Sequence, residues 1–156
     1  MGTDNGEKAI FIHFKQTILM TGFVIKTADR RTIRFRYYLD DAPATAEAFD
    51  GELPFTRTLV HARVSGREIW AEAGPSLDII QENASVFVTP GEVVLGPTRP
   101  ARVRTSGSFG IYYGEGKGLD SCNIFAKVYD EDRHILESLG EEIWRHGEQT
   151  LTFESI

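Results

Sequence analysis

The stretch LPFTRTLVHARVSGREIWAEAG, at positions 53 to 74, concentrates side chains that could do chemistry. Its alternation of apolar and polar residues predicts two antiparallel strands, joined by a two-residue turn at Ser65-Gly66. In that register valine, alanine and isoleucine side chains face the core, and Arg63 lies opposite Glu68. The outer face of the predicted hairpin then carries His61, Arg63, Glu68, Trp70 and Glu72.

Two interpretations of Arg63 and Glu72 stay open. A guanidinium with a carboxylate further along the same face could recognise an anionic or amide-bearing ligand. Alternatively, Arg63 forms a surface ion pair with Glu68, which is worth about 0.2–1 kcal/mol. Glu72 would then be an ordinary solvated charge.

The pairing of His61 with Trp70 in this register also has two interpretations. The imidazole could act as a general base beside a stacking surface. The alternative is amphipathic packing or a subunit contact, for which Trp70 is a suitable anchor because aromatic residues are enriched at interface cores.

Two-residue periodicity dominates the remaining sequence and predicts a mainly β domain. One helix is expected after Asp41, which can cap it, with Pro43 in its first turn and its end at Leu53-Pro54. A second helix is expected over 130 to 147, with Gly140 as a candidate break. Besides the hairpin, strands are expected near 22–27, 32–39, 84–88, 92–95, 101–104, 108–113, 122–128 and 150–156.

These elements predict the architecture. Roughly eight to ten strands with two short helices favour a closed antiparallel β-barrel capped by the helices. A barrel filled by side chains has no internal pocket, so a binding groove must lie on its outer wall. The glycine-rich run at 114–120 lacks the spacing of a phosphate-binding loop. A flexible turn is the favoured interpretation of this run, and a lid over the groove is the alternative.

Composition and charge narrow the functional classes. The 156 residues fit one domain over 9–156, preceded by a lead-in at 1–8 that we expect to be disordered. The net charge of −6 and the scattered basic residues argue against nucleic acid and an anionic membrane surface. The single cysteine, Cys122, favours a reducing cytoplasm. Neither a signal peptide nor a membrane span is indicated, the dispersed histidines indicate no metal site, and no cofactor is expected.

Several motifs resemble those of cyclophilins, the prolyl isomerases, and occur in the same order. Pro43, Thr45 and Phe49 fit the pattern P-x-T-x-x-x-F, and HARV resembles the family strand FHRV. The run NIFAKVYDEDRHILESLG is similar to VVFGKVxxGxxxVxxxI, and the resemblance covers roughly residues 22 to 155. LPF before HAR-x-SG and the run LGEEIWRHGEQTLTF are similar to a narrower, uncharacterised bacterial and archaeal family of cyclophilin-like proteins, a domain of unknown function.

The resemblance implies a cyclophilin-like barrel and places Arg63 on the family's catalytic arginine, which donates hydrogen bonds to the twisted prolyl amide. Most aromatic walls of the family's proline pocket are missing. Gly118 stands where a tryptophan is expected, and Cys122 or Asn123 where a histidine is expected. A proline ring needs such walls to be held out of water. Ligand binding without isomerase activity is therefore expected.

The leading hypothesis from the sequence is a cytoplasmic protein that binds a small-molecule or peptide-like ligand on the outer barrel wall. An active prolyl isomerase is the first alternative. The second is a homo-oligomeric assembly module, in which the hairpin face is buried against a sister subunit, and self-association is expected in general. The residues expected to line the groove are His61, Arg63, Trp70, Glu72, Tyr112 and Asn123, and only one of the adjacent Tyr112 and Tyr113 can face outward.

Overall fold

A computed structural model describes residues 20–75 and 77–156. Within this part of the chain there are eight β-strands, two α-helices and a 3-10 turn at Asp130–Asp132. The helices are α1, Pro43–Glu52, and α2, Arg133–His146. The strands are β1 Gly22–Lys26, β2 Thr32–Tyr37, β3 Phe55–Ala62, β4 Gly66–Ala71, β5 Ala84–Phe87, β6 Glu92–Leu95, β7 Phe109–Val128 and β8 Gln149–Ser155.

The strands form a closed antiparallel barrel. Its order is β2-β1-β8-β3-β4-β7, and β7 returns to β2 through the pair Phe35↔Val128. Both ends of β7 pair with β6, so Val93 has Ile111 and Ala126 as partners. β5 pairs with the middle of β7 and lies outside this ring. The predicted mainly β fold, a closed barrel with two short helices, is confirmed.

Alternating side chains fill the barrel, as the sequence pattern predicts. Along β2 every second residue is buried, and the residues between are exposed. The interior is unusually rich in phenylalanine rings, and Phe49 of α1 reaches into it from one end. Its ring centroid lies 4.9 Å from that of Phe23 and 5.0 Å from that of Phe125. Because these rings occupy the interior, a ligand has to be sought on the outside.

Helix α2 packs against the barrel through its own side chains Leu136, Leu139 and Ile143, which are buried. It continues through Gly140, so the expected break at this residue is wrong. A side chain at Gly140 would overlap the ring of Tyr113 on β7. The glycine is thus needed for close packing of the helix on the strand. No helix of the described residues is long and apolar enough to span a membrane.

Three further expectations about local structure are wrong. Residues 101–104 do not form a strand: they precede a turn in which the Ser106 amide donates to the Val103 carbonyl at 3.0 Å. The glycine-rich run at 114–120 is extended within β7, because β4 and β5 pair with it. Ala42 rather than Asp41 is the N-cap of α1, and no side chain caps it. The lead-in at 1–8 lies outside the described residues.

Candidate functional site

The pairing of β3 with β4 decides which hairpin side chains share a face. Val60 lies opposite Trp70 and Ala62 opposite Glu68, one residue away from the predicted register. His61 lies opposite Ile69, whose side chain is fully buried in the core. Since neighbours across a ladder project to the same side of a sheet, His61 and Trp70 project to opposite sides. The predicted common face for His61, Arg63, Trp70 and Glu72 is therefore wrong.

The shift comes from the connection between the two strands, which is not a two-residue turn. Pairing ends at Ala62↔Glu68, and residues 63 to 67 make the connection. Gly66 has a φ of +100° and pairs with Gly116 of β7. A side chain at Gly66 would lie 2.7 Å from the Glu115 carbonyl oxygen, so only glycine permits this approach. The Lys117 amide also donates to the Ser65 carbonyl at 2.9 Å, which fixes the tip of the hairpin on β7.

The bent hairpin forms one side of a cavity on the outer barrel wall, here called the lateral pocket. Its volume is about 140 Å³. Outward side chains of β3, β4, β6 and β7 form its floor, while β5 and residues 118–120 contribute further walls. Tyr112, Val94 and Cys122 also belong to a small apolar cluster separate from the main core. The lining includes Ala62, Arg63, Ser65, Glu68, Trp70, Ser85, Val94, Thr105, Phe109, Gly110, Tyr112, Leu119, Asp120 and Cys122.

Glu68 is the buried acid of the lateral pocket, with a relative exposure of only 9%. Its Oε1 accepts a hydrogen bond from the Ser65 hydroxyl at 2.6 Å, and Tyr112 also hydrogen-bonds the carboxyl. A side chain at Gly110 would overlap Glu68 Oε2, so the glycine provides the space for this carboxyl. Burial raises the pKa of Glu68 above its usual 4.5, against the opposing effect of the two hydrogen bonds. A carboxyl in such surroundings can bind a cation or exchange a proton.

Two further groups of the pocket, the Tyr112 hydroxyl and the Cys122 thiol, are kept neutral by their surroundings. Burial, followed by the charge of Glu68, raises the pKa of Tyr112. Burial also raises the pKa of Cys122, whose sulfur lies 3.2 Å from the Thr105 hydroxyl. Thr105 in turn donates its amide and its hydroxyl to Asp120 Oδ2, both at 3.1 Å. The Cys122 thiol is thus a poor nucleophile.

The lateral pocket brings together three of the six predicted site residues. Arg63 is exposed at its rim, Trp70 forms part of a wall, and Tyr112 lies in its floor. Tyr113 points to the other side of the sheet, so the prediction that only one of the two tyrosines faces outward is confirmed. Arg63 makes no ion pair with Glu68, which contradicts the surface-pair interpretation.

The remaining three lie elsewhere. His61 packs under α2, with its Nε2 atom 2.7 Å from the Tyr113 hydroxyl and its ring 4.5 Å from that of Trp144. Desolvation lowers the pKa of His61. Glu72 borders a separate shallow groove near Arg102.

Asn123 is fully buried and has a structural position. Its amide nitrogen donates to the Thr45 hydroxyl at 3.0 Å and to the Ile80 carbonyl at 2.9 Å. Its amide oxygen accepts from the Glu82 backbone at 3.1 Å. These bonds connect β7 to the start of α1 and to the segment before β5.

Glu68, Ser65 and Gly110 are the pocket residues whose roles the sequence did not predict. Glu68 was assigned to the right face, but as the partner of an arginine at the surface. Gly110, which pairs with Trp70, was the signal in the sequence that could have indicated the buried carboxyl of Glu68. A glycine within a strand often marks the close approach of another group. In residues 20–75 and 77–156, no group of three or more His, Cys, Asp or Glu side chains could hold a metal ion.

Comparisons with known proteins agree with this fold. The family DUF3830, a protein of unknown function, matches residues 26–155. None of the curated proteins is significantly similar to the chain. Among solved structures, McbB in complex with tryptophan has a TM-score of 0.69 at 19% identity, over 85% of this chain and 44% of McbB. The chain thus spans less than half of McbB.

For two further solved structures the match covers most of their own length. The hypothetical protein AF2241 from Archaeoglobus fulgidus has a TM-score of 0.60 at 15% identity, over 88% of this chain and 96% of AF2241. The cyclophilin of Mimivirus has a TM-score of 0.51 at 12% identity, over 87% of this chain and 88% of that cyclophilin. At these identities the likeness establishes the fold alone, and the predicted cyclophilin-like fold is confirmed.

Proposed function

The chain belongs to the DUF3830 family of proteins of unknown function, and we propose that it binds a small organic molecule in the lateral pocket, without prolyl isomerase activity. The observation that carries this proposal is the buried carboxyl of Glu68 in a largely apolar cavity. Burying an acid costs free energy that a purely structural site would avoid with an apolar residue. Such a group is more common where it meets a ligand.

The dimensions of the pocket favour a ring-sized occupant. An apolar cavity of roughly 150 Å³ holds a benzene molecule, and the lateral pocket has about 140 Å³. Trp70 and Tyr112 offer flat aromatic surfaces, and Glu68 offers one polar anchor. This combination of apolar walls and few polar groups is typical of small-molecule sites. McbB, 44% of which matches this fold, was solved in complex with tryptophan, so tryptophan is a suitable first compound.

Thermal-shift screening with small ring compounds tests the proposal when it is combined with a variant that fills the pocket. Ala62→Phe places a ring in the cavity beside Glu68, while Val60→Phe, two residues earlier on β3, lies outside the cavity. A compound at a hundred times its Kd stabilises the protein by about 2.7 kcal/mol, which is roughly 5–10 °C in Tm for a domain of this size. We expect this shift in the wild type and in Val60→Phe, and its loss in Ala62→Phe. An equal shift in both variants would place the ligand elsewhere.

A prolyl isomerase would need Arg63 to meet an amide held by an apolar proline pocket. Arg63 is instead exposed at the rim, and the cavity beside it contains a buried acid. We therefore expect no rate above the uncatalysed background in a protease-coupled assay on a proline peptide. Acceleration that disappears in Arg63→Ala would contradict this expectation.

Self-association and a cytoplasmic location stay predictions. The expected contact residue Trp70 is half-buried in the pocket wall, whereas Trp144 is 54% exposed on α2. The solution mass of the protein, measured for the wild type and for Trp144→Ala, tests association through this residue.

A further inference from the structure

We propose that the ligand of the lateral pocket is a ring-bearing organic amine, whose ammonium group pairs with the buried carboxyl of Glu68. The inference rests on the proposed function, since it assigns the chemical class of the ligand in the same cavity. Formation of the ion pair requires the ionised carboxylate, so any Glu68 carboxyl that is protonated before the ammonium ion binds releases one proton to solvent.

The first argument is the absence of a counter-ion around Glu68. Among the described residues no cationic side chain pairs with this carboxyl, and its polar partners are the neutral hydroxyls of Ser65 and Tyr112. Arg63 is the one basic residue in the lining, and it stays exposed at the rim. An unpaired buried carboxylate is costly, whereas a paired one can be stable. An incoming cation would supply the missing partner.

The second argument is the sign of the charge around the cavity. The titratable groups that face Glu68 from the packed elements are Arg63 of the connection, and Tyr112, Asp120 and Cys122 of β7. Burial keeps the tyrosine and the thiol neutral, so once Glu68 is ionised the lining has two acids, Glu68 and Asp120, against one exposed base, Arg63. This balance favours a cationic over an anionic ligand.

The third argument is geometric. Gly110 pairs with Trp70 across the ladder and leaves the space that the Glu68 carboxyl occupies. The carboxyl is thus placed against an apolar, ring-sized cavity with an indole in its wall. A molecule that fills this space with a ring and carries an adjacent ammonium would satisfy both parts of the site.

Isothermal titration with benzylamine and benzyl alcohol tests the proposal, because the two probes share the ring and differ in charge. An alkylammonium titrates near the pKa of lysine, so benzylamine stays cationic at pH 6 to 8. At pH 8 we expect benzylamine to bind at least about tenfold more tightly than the alcohol, as a charge-assisted hydrogen bond is about twice as strong as a neutral one. Glu68→Gln should remove this preference.

The proton displacement has its own readout. The apparent enthalpy of benzylamine binding should vary with the ionisation enthalpy of the buffer and indicate a proton release that increases as the pH is lowered. It should not vary for benzyl alcohol, nor for benzylamine with Glu68→Gln. Because a low pH protonates Glu68, benzylamine affinity should rise with pH, and the affinity of benzyl alcohol should stay constant.

Control variants separate Glu68 from the other acids. Glu72→Gln, outside the lateral pocket, should leave the amine preference unchanged, and Asp120→Asn should reduce it less than Glu68→Gln. Gly110→Ala is a second variant that should reduce the amine preference, because its methyl group displaces the Glu68 carboxyl without removing it. A folded Glu68→Gln that keeps the preference for the amine would overturn the proposal. Equal binding of both probes by the wild type would overturn it but leave the pocket a ligand site, and no binding of either probe would count against the proposed function as well.

Discussion

Glu68 determines the chemistry of the outer wall because it is an acid that folding removes from water. Its pKa is raised by burial, so the folded protein binds this proton more tightly than the unfolded chain does. The resulting stabilisation is complete below the unfolded value of about 4.5 and is lost as the pH rises through the folded pKa.

The corresponding variant is Glu68→Gln, which cannot ionise. As the pH rises from 5 to 8, we expect the free energy of unfolding of Glu68→Gln to increase relative to that of the wild type. Only the wild type has a carboxyl that must ionise inside the pocket as the pH rises. Urea unfolding at several pH values measures the difference, with Glu72→Gln as the exposed control. A difference that does not change with pH would show that Glu68 titrates normally.

The connection between β3 and β4 is the element that shapes the pocket. Gly66 adopts a φ of +100° and lies against the backbone of β7. We expect Gly66→Ala to cost roughly 1–3 kcal/mol in the free energy of unfolding, from backbone strain and from the contact with β7. The substitution should also weaken ligand binding, because a displaced hairpin tip would move Ser65 away from Glu68.

Gly51→Ala is the matched control for this prediction. Gly51 lies in α1 with open space around the position of a side chain. Alanine there should be neutral or stabilise the protein by up to about 1 kcal/mol. Equal stabilities for Gly66→Ala and the wild type in urea unfolding would contradict the role given to the connection.

The same element shows where prediction from the sequence succeeds and where it stops. The alternation of Ile33, Phe35 and Tyr37 specifies a strand with one buried side, and local patterns of this kind were sufficient for the barrel. The faces of β3 and β4 depend on the connection between them, where one residue of register reverses every side chain. The approach of Gly66 to Gly116 is a contact between distant positions, which no local pattern contains. For this reason the sequence placed Trp70 and Tyr112 on the outer wall, where both line the lateral pocket, whereas it assigned His61 to the wrong face and missed the burial of Glu68.

At the scale of the whole molecule, His61 and Trp70, which the sequence predicted on one face, belong to two separate surfaces of a filled barrel. Phenylalanine rings occupy the interior of the barrel. The lateral pocket with Glu68 and Trp70 lies on the outer wall under β5. His61 lies beneath α2, against Trp144. The fold is shared with cyclophilins, and the outer wall carries the buried acid Glu68 in the lateral pocket.

The two tryptophans report on these two surfaces separately, which permits one direct measurement of where a ligand binds. In a ¹⁵N–¹H correlation spectrum titrated with benzylamine, binding in the lateral pocket should shift the indole N–H of Trp70 and the amide of Gly110. The indole N–H of Trp144 should stay in place. Shifts confined to Trp144 and the residues around His61, or no shift at all, would contradict the assignment of the ligand site to Glu68 and its pocket.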